Sequence, residues 1–169
     1  RFLDADQFPK DAATKLGEFL AISREPLAVR SSSLLEDSQY HPFAGVYLTC
    51  MIPNQGDDHV RLSELLATIK RVYASTFFRA ARDYMKVTSF GIEDEKMAVI
   101  VHRMVGARHG ERFYPDISGV TRSYNFYPIA PQTPNDGITS VALGLGRLIV
   151  EGGVATRFCP KYPTHLIQL

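Results

Sequence analysis

The sequence predicts an α+β fold, a mostly antiparallel sheet with flanking helices. Candidate strands outnumber candidate helices, their short connections favour antiparallel pairing, and the apolar spacing alternates between helical and strand-like periods along the chain. A length of 169 residues with 45% apolar and 11% aromatic side chains suits one domain with a sizeable core and excludes disorder as a description of the whole. With no internal repeat and no forced boundary, residues 1–169 read as a single partial domain. Both ends read as cut: the chain starts at Arg1 and stops at Leu169, directly after a strand and a Lys161-Tyr162-Pro163 turn.

Leu16, Phe19, Leu20 and Ser23 recur at helical spacing behind Pro9, which a first turn tolerates, so residues 9–23 are expected to form an amphipathic helix. After Pro26, Leu27-Ala28-Val29 predicts a short buried strand delivering Arg30 and three serines into a loop. Residues 44–51, with Val46, Tyr47, Leu48 and Thr49, predict a strand ended by the turn-rich Pro53–Asp58 segment. From 60 to 86, Leu62, Leu65, Leu66, Ile69, Val72, Tyr73, Thr76 and Ala80 keep one face of a long helix apolar, a pattern that belongs to core packing.

Met97–Val105 predicts the next strand, and a polar turn around Gly110 leads to another at Ser118–Tyr124, as in a hairpin. A proline-rich loop over Tyr127–Asp136 precedes an apolar run at Ile138–Leu143. Gly144-Leu145-Gly146 then opens a short helix to Val150, and Val154–Phe158 predicts a last strand.

Lys and Arg number 19 against 18 Asp and Glu, which lacks the basic surplus of a nucleic-acid binder. Cys50 and Cys159 fit no metal-ligand or paired redox spacing and read as buried thiols. No apolar run reaches the roughly 20 residues that span a bilayer, and no secretory signal is present in these residues. A cytoplasmic protein is the expectation.

Chemistry concentrates at Val29-Arg30-Ser31-Ser32-Ser33, with Glu36 and Asp37 behind it and Phe43-Ala44-Gly45 beyond. An arginine at a strand end offers a fork of donors to phosphate oxygens, serine hydroxyls and loop amides add more, and Gly45 permits close backbone approach. The same spacing accommodates a structural alternative in which Arg30 pairs with Glu36 or Asp37 and the serines cap a turn.

Val-Arg-Ser-Ser, the acidic pair and Phe-Ala-Gly together resemble the signature of the nucleotide-binding domain shared by phosphoenolpyruvate synthase and pyruvate phosphate dikinase. Three later segments fit in order. Val101-His102-Arg103-Met104-Val105 resembles the segment whose backbone lies along adenine, Ser118-Gly119-Val120 a strand start near the phosphates, and Gly144-Leu145-Gly146 a Gly-Leu-Gly-Glu motif close to the metal. The resemblance covers residues 27–160.

It implies an ATP-grasp fold holding ATP and magnesium, with phosphoryl transfer to a histidine on a swivelling domain and then to pyruvate on a third. Carried over residue by residue, it assigns phosphate binding and a catalytic role to Arg30, nucleotide contacts to Ser31, Ser32, Gly45 and Thr49, and adenine-side contacts to His102, Arg103, Met104 and Val105. Three positions depart from the pattern. Arg147 stands where a magnesium-binding glutamate is expected, and a cation does not ligate a cation. Val46 and His102 replace glutamines.

Glu151, one helical turn beyond Arg147, either supplies the metal carboxylate or is a solvated helix-end residue. The early lysine of the family falls upstream of Arg1. His41, His59, His102, His109 and His165 read as surface or structural histidines. Two functions follow: the ATP-binding part of a phosphoenolpyruvate synthase-like phosphotransferase, inactive as an isolated fragment, or a degenerate nucleotide sensor without transfer. Acceptor choice, whether pyruvate, a glucan or a drug-like molecule, belongs to other domains.

Overall fold

A computed structural model describes residues 8–34, 36, 45–86, 91–146, 149 and 155–167, and within them the chain divides into two compact units, Arg1–Met104 and Val105–Leu169. In the first unit, α1 (Lys10–Ile22) starts behind Pro9 as the spacing predicts. Then come β1 (Leu27–Ser33), β2 (Thr49–Ile52), α2 (Asp58–Ala74), α3 (Arg79–Lys86) and β3 (Met97–Arg103). The sheet order is β2-β1-β3, antiparallel throughout.

One sheet face is apolar. Leu27, Val29 and Ile52 pack with Leu20, Leu65, Ile69 and Val72 of the helices, and Val99 and Val101 adjoin them. Since side chains alternate along a strand, Arg30 and Ser32 of β1, Thr49 and Met51 of β2, and Ala98, Ile100 and His102 of β3 share the opposite face. Met51 and Ile100 are exposed there.

Three expectations for this unit need correction. The strand expected over 44–51 is confined to β2, with residues 45–48 outside any strand. Arg30 and the serines lie inside β1, because the ladder with β3 runs on to the Ser33–Met97 pair and buries Ser31 and Ser33 on the core side. The long helix expected over 60–86 breaks into α2, a 3₁₀ turn at Ser75–Phe77 and α3, with Phe78 extended. The Ser75 hydroxyl donates to Val72 O at 2.6 Å and accepts from Leu48 N at 3.1 Å, so it holds the chain before β2 against the end of α2.

Arg61 of α2 is 1% exposed. Its guanidinium donates to Leu20 O at 2.7 Å, Ser23 O at 2.6 Å, Asn54 Oδ1 at 2.9 Å and Asp58 Oδ1 at 2.9 Å. Asn54 sits at φ 56° and donates to Ser23 O and Glu25 O. This polar knot satisfies carbonyls at the C-terminal end of α1 that would otherwise be buried without partners.

The second unit contains β4 (Ala107–His109), β5 (Arg112–Tyr114), β6 (Ile117–Arg122), β7 (Ile138–Leu143), β8 (Thr156–Cys159) and β9 (Tyr162–Ile167). The turn at Gly110, at φ 63°, closes a β4–β5 hairpin. The hairpin expected between Met97–Val105 and Ser118–Tyr124 is not formed: β3 pairs with β1, and β6 pairs with β7 in the meander β6-β7-β8-β9. The turn expected at Lys161-Tyr162-Pro163 falls one residue earlier: Pro160 and Lys161 form it, and Tyr162 and Pro163 already belong to β9, which pairs with β8 through Cys159 and Tyr162. The short helix expected after Gly146 runs into residues outside those described.

Candidate functional site

In β1, Arg30 is flanked in register by Thr49 of β2 and Ile100 of β3. Adjacent strands lie about 4.8 Å apart, so the guanidinium rises from the middle of the outward sheet face. Arg30, Ser32, Gly45, Thr49 and Ile100 border a cavity of about 250 Å³, with Ser31, Glu36 and Tyr47 completing its wall. Gly45 takes φ 79°, where a side chain is strained although a Cβ would meet open space.

Behind β1 the serines close the turn. Ser31 Oγ donates to Glu36 Oε1 at 2.8 Å and Ser33 N to Oε2 at 3.0 Å, while Glu36 N donates to Ser33 Oγ at 3.1 Å. The last two bonds have the reciprocal form of a capping box. Glu36 is thus engaged by serines, and among the described residues no carboxylate pairs with Arg30. Asp37, the other partner weighed from sequence, lies outside the described residues.

The phenol of Tyr47 donates to the Glu95 carboxylate, and burial first, then that carboxylate, pushes its pKa above the usual tyrosine value. Tyr47 packs with Ala81 and Met85, and Val46 adjoins this cluster. Val46 in place of glutamine therefore contributes packing. Sequence reasoning missed Tyr47 and Ile100 as cavity residues; the alternation of β3 carried the signal for Ile100.

His102 sits on the outward face, opposite Ala28. Arg103 reaches Glu25 at 3.7 Å, and Met104 N donates to Pro26 O at 2.8 Å, so that amide is occupied within the protein. Val105 is 84% exposed and begins the second unit.

Within the second unit, two separate sequence segments meet. Ser118 pairs with Ala142, and its hydroxyl donates to Gly144 O at 2.6 Å. A Cβ on Gly119 would stand 3.0 Å from Ser140 O, and one on Gly146 would stand 3.3 Å from Ser118 Cβ, so both glycines allow close chain approach. Gly144 takes φ 73°.

Arg147 and Glu151 lie outside the described residues. Among those described, no group of three or more His, Cys, Asp or Glu could hold a metal ion, and no helix is long and apolar enough to cross a membrane.

Residues 3–160 match the family model described as pyruvate phosphate dikinase, AMP/ATP-binding domain. A phosphoenolpyruvate synthase of Aeropyrum pernix is 31% identical over 144 residues, covering 85% of this chain and 16% of the relative. An uncharacterized phosphotransferase of Bacillus subtilis is 31% identical over 147 residues, covering 86% of this chain and 15% of the relative. A rifampicin phosphotransferase of Bacillus cereus is 27% identical over 158 residues, covering 89% and 16%. The chain thus spans about a sixth of the length of the relatives it matches.

Proposed function

The chain belongs to the pyruvate phosphate dikinase AMP/ATP-binding domain family, and from that premise we propose that it is the ATP-holding part of a larger phosphotransferase of phosphoenolpyruvate synthase type. The observation that carries this reading is the Arg30 guanidinium, standing between Thr49 and Ile100 beside the Gly45 turn and ion-paired to no carboxylate among the described residues, with the Glu36 carboxylate in the same cavity wall held by Ser31 and Ser33. A guanidinium fork with no ion-pair partner among the described residues suits phosphate oxygens. The cavity of about 250 Å³ suits a phosphate chain better than a whole nucleotide.

In this reading the fold is of ATP-grasp type, and Arg30 neutralises charge on the phosphates and is the catalytic residue. The residue 31–32 segment and Thr49 add donors, the Gly45 backbone approaches the ligand, and His102 to Val105 flank adenine. Ser31 takes part through its backbone, because its hydroxyl is given to Glu36. The acceptor histidine and the pyruvate-binding site belong to other domains of the parent chain, and the isolated fragment is inactive. In this reading Glu151 is the residue that would hold magnesium. A cytoplasmic location accompanies this reading.

Arg147 in place of the glutamate supports a second reading, a nucleotide sensor without phosphoryl transfer. Calorimetric titration of ATP into the full-length protein, with and without magnesium, separates the two. Magnesium-dependent binding that is lost in Glu151→Gln supports the phosphotransferase; metal-independent binding without turnover supports the sensor. ATP binding and turnover unchanged in a folded Arg30→Gln variant would remove the role given to Arg30.

A further inference from the structure

Gly45, Tyr47 and Thr49 border the Arg30 cavity, yet residues 45–48 belong to no strand. No sheet ladder fixes this stretch, so its position rests on bonds to distant parts of the first unit. Leu48 N donates to Ser75 Oγ at 3.1 Å, and the Tyr47 phenol donates to Glu95 Oε2, just ahead of β3.

The Ser33 side chain hydrogen-bonds the same phenol, and Ser33 is itself held by Glu36 through its amide and its hydroxyl. One hydroxyl thus joins three pieces of chain: the end of β1, the approach to β3, and the stretch between the Gly45 turn and β2.

Packing does not account for that hydroxyl. The Tyr47 ring, 5% exposed, lies against Ala81 and Met85, with Val46, Tyr84 and Met97 adjoining, and phenylalanine would fill the same space. A hydroxyl in such a place is unfavourable unless it is bonded. Glu95 is a strong acceptor for it, since the other carboxylate oxygen, Oε1, is buried without a partner among the described residues. The phenol has one proton, and Glu95 receives it. Tyr47 therefore lines the cavity with no proton left to donate to a ligand.

We propose that Tyr47 is a positioning residue: bonded to Glu95 and Ser33, its hydroxyl holds the Gly45 turn and Thr49 beside Arg30 in the geometry that receives phosphate. This rests on the reading of the Arg30 cavity as a phosphate site. A turn fixed before the ligand arrives spares the binding energy that ordering it would consume.

ATP is titrated calorimetrically, with magnesium present, into the full-length protein and its variants at a temperature where each is folded. Tyr47→Phe is expected to weaken binding about fivefold or more, and Glu95→Ala by a similar factor. Glu95→Gln, whose amide oxygen still accepts from the phenol, should stay within about twofold of the wild type. The double variant Tyr47→Phe with Glu95→Ala should bind no more weakly than either single one, because the two side chains form one bond. Arg30→Gln separates this inference from the reading beneath it. Loss of affinity in Arg30→Gln with none in Tyr47→Phe overturns the role of Tyr47 and leaves the phosphate site standing, whereas unchanged affinity in Arg30→Gln overturns both. A lowered thermal midpoint in Tyr47→Phe with wild-type affinity makes the hydroxyl purely structural and also overturns the proposal. Should Tyr47→Phe fail to fold, Glu95→Ala and Glu95→Gln decide the matter: equal affinities in those two variants refute the positioning role.

Discussion

The Nε of Arg61 donates to Oδ1 of Asn54 at 2.9 Å, with both side chains buried. The same guanidinium serves two α1 carbonyl neighbours, Leu20 O and Ser23 O. Arg61→Met should lower the unfolding free energy by about 3 kcal/mol or more, since it orphans several buried acceptors at once. Arg61→Lys should recover less than half, because an ammonium cannot reproduce the planar fork. Urea midpoints of the three proteins check this; equal midpoints would mean the network adds nothing.

Glu36 holds Ser31 and Ser33 by three hydrogen bonds behind the outward sheet face. Glu36→Ala is expected to cost about 1–3 kcal/mol. Glu36→Gln should cost less, because its amide oxygen still accepts one of the bonds. Hydrogen exchange at the Ser33 amide distinguishes local loosening from global unfolding: it accelerates in Glu36→Ala even under conditions where the rest of β1 stays protected.

The carboxylate of Asp136 accepts from Thr133 N at 2.7 Å, from the Thr133 hydroxyl and from Lys161 Nζ. The Thr133 amide first, then Lys161, holds its pKa below the ordinary aspartate value. A depressed folded pKa stabilises the protein above the unfolded value near 4, and that stabilisation is lost as pH falls below it. Thermal midpoints between pH 2 and 6 should therefore decline less steeply in Asp136→Asn than in the wild type; parallel curves would refute the contribution.

Gly119 lies where a Cβ would come within 3.0 Å of Ser140 O and 3.1 Å of Val141 Cγ1. Gly119→Ala should separate β6 from β7 and cost about 1–3 kcal/mol. Gly110→Asn, at a turn with open space around it, should cost less than half as much, since asparagine tolerates positive φ. Denaturation of both variants provides the comparison.

The α+β class, the antiparallel pairing, α1, the Gly110 turn and β7 were legible in the sequence, because each follows from local periodicity or a single turn residue. The extension of β1 through three serines was not. Serine has little strand preference, and only the distant partner strand ending at Met97 draws these residues into the ladder. The break in the long helix was hidden for a related reason: Ser75 ends α2 by binding Leu48, a contact across 27 residues. Arg61 carries its own signal. It precedes Leu65 by one turn on the apolar face of α2, so helical spacing alone places a charge where burial is expected.

At the candidate site, Arg30, the serines and Gly45 were legible as a cluster, and the structure gathers Arg30, Gly45 and Thr49 around one cavity. What sequence spacing could not decide was which serine points where. Strand alternation turns Ser32 outward with Arg30 and gives the Ser31 hydroxyl to Glu36.

The three-stranded sheet carries its hydrophobic packing on one face and Arg30, Thr49, Ile100 and His102 on the other. A substitution at Ile100 or His102 alters the outer chemistry without opening a void among Val29, Leu65 and Val72. Inheritance can thus act on the two surfaces separately. Lineages are free to revise the side chains of this wall while the scaffold beneath it stays constant, and divergence among descendants should accumulate at the outward positions first.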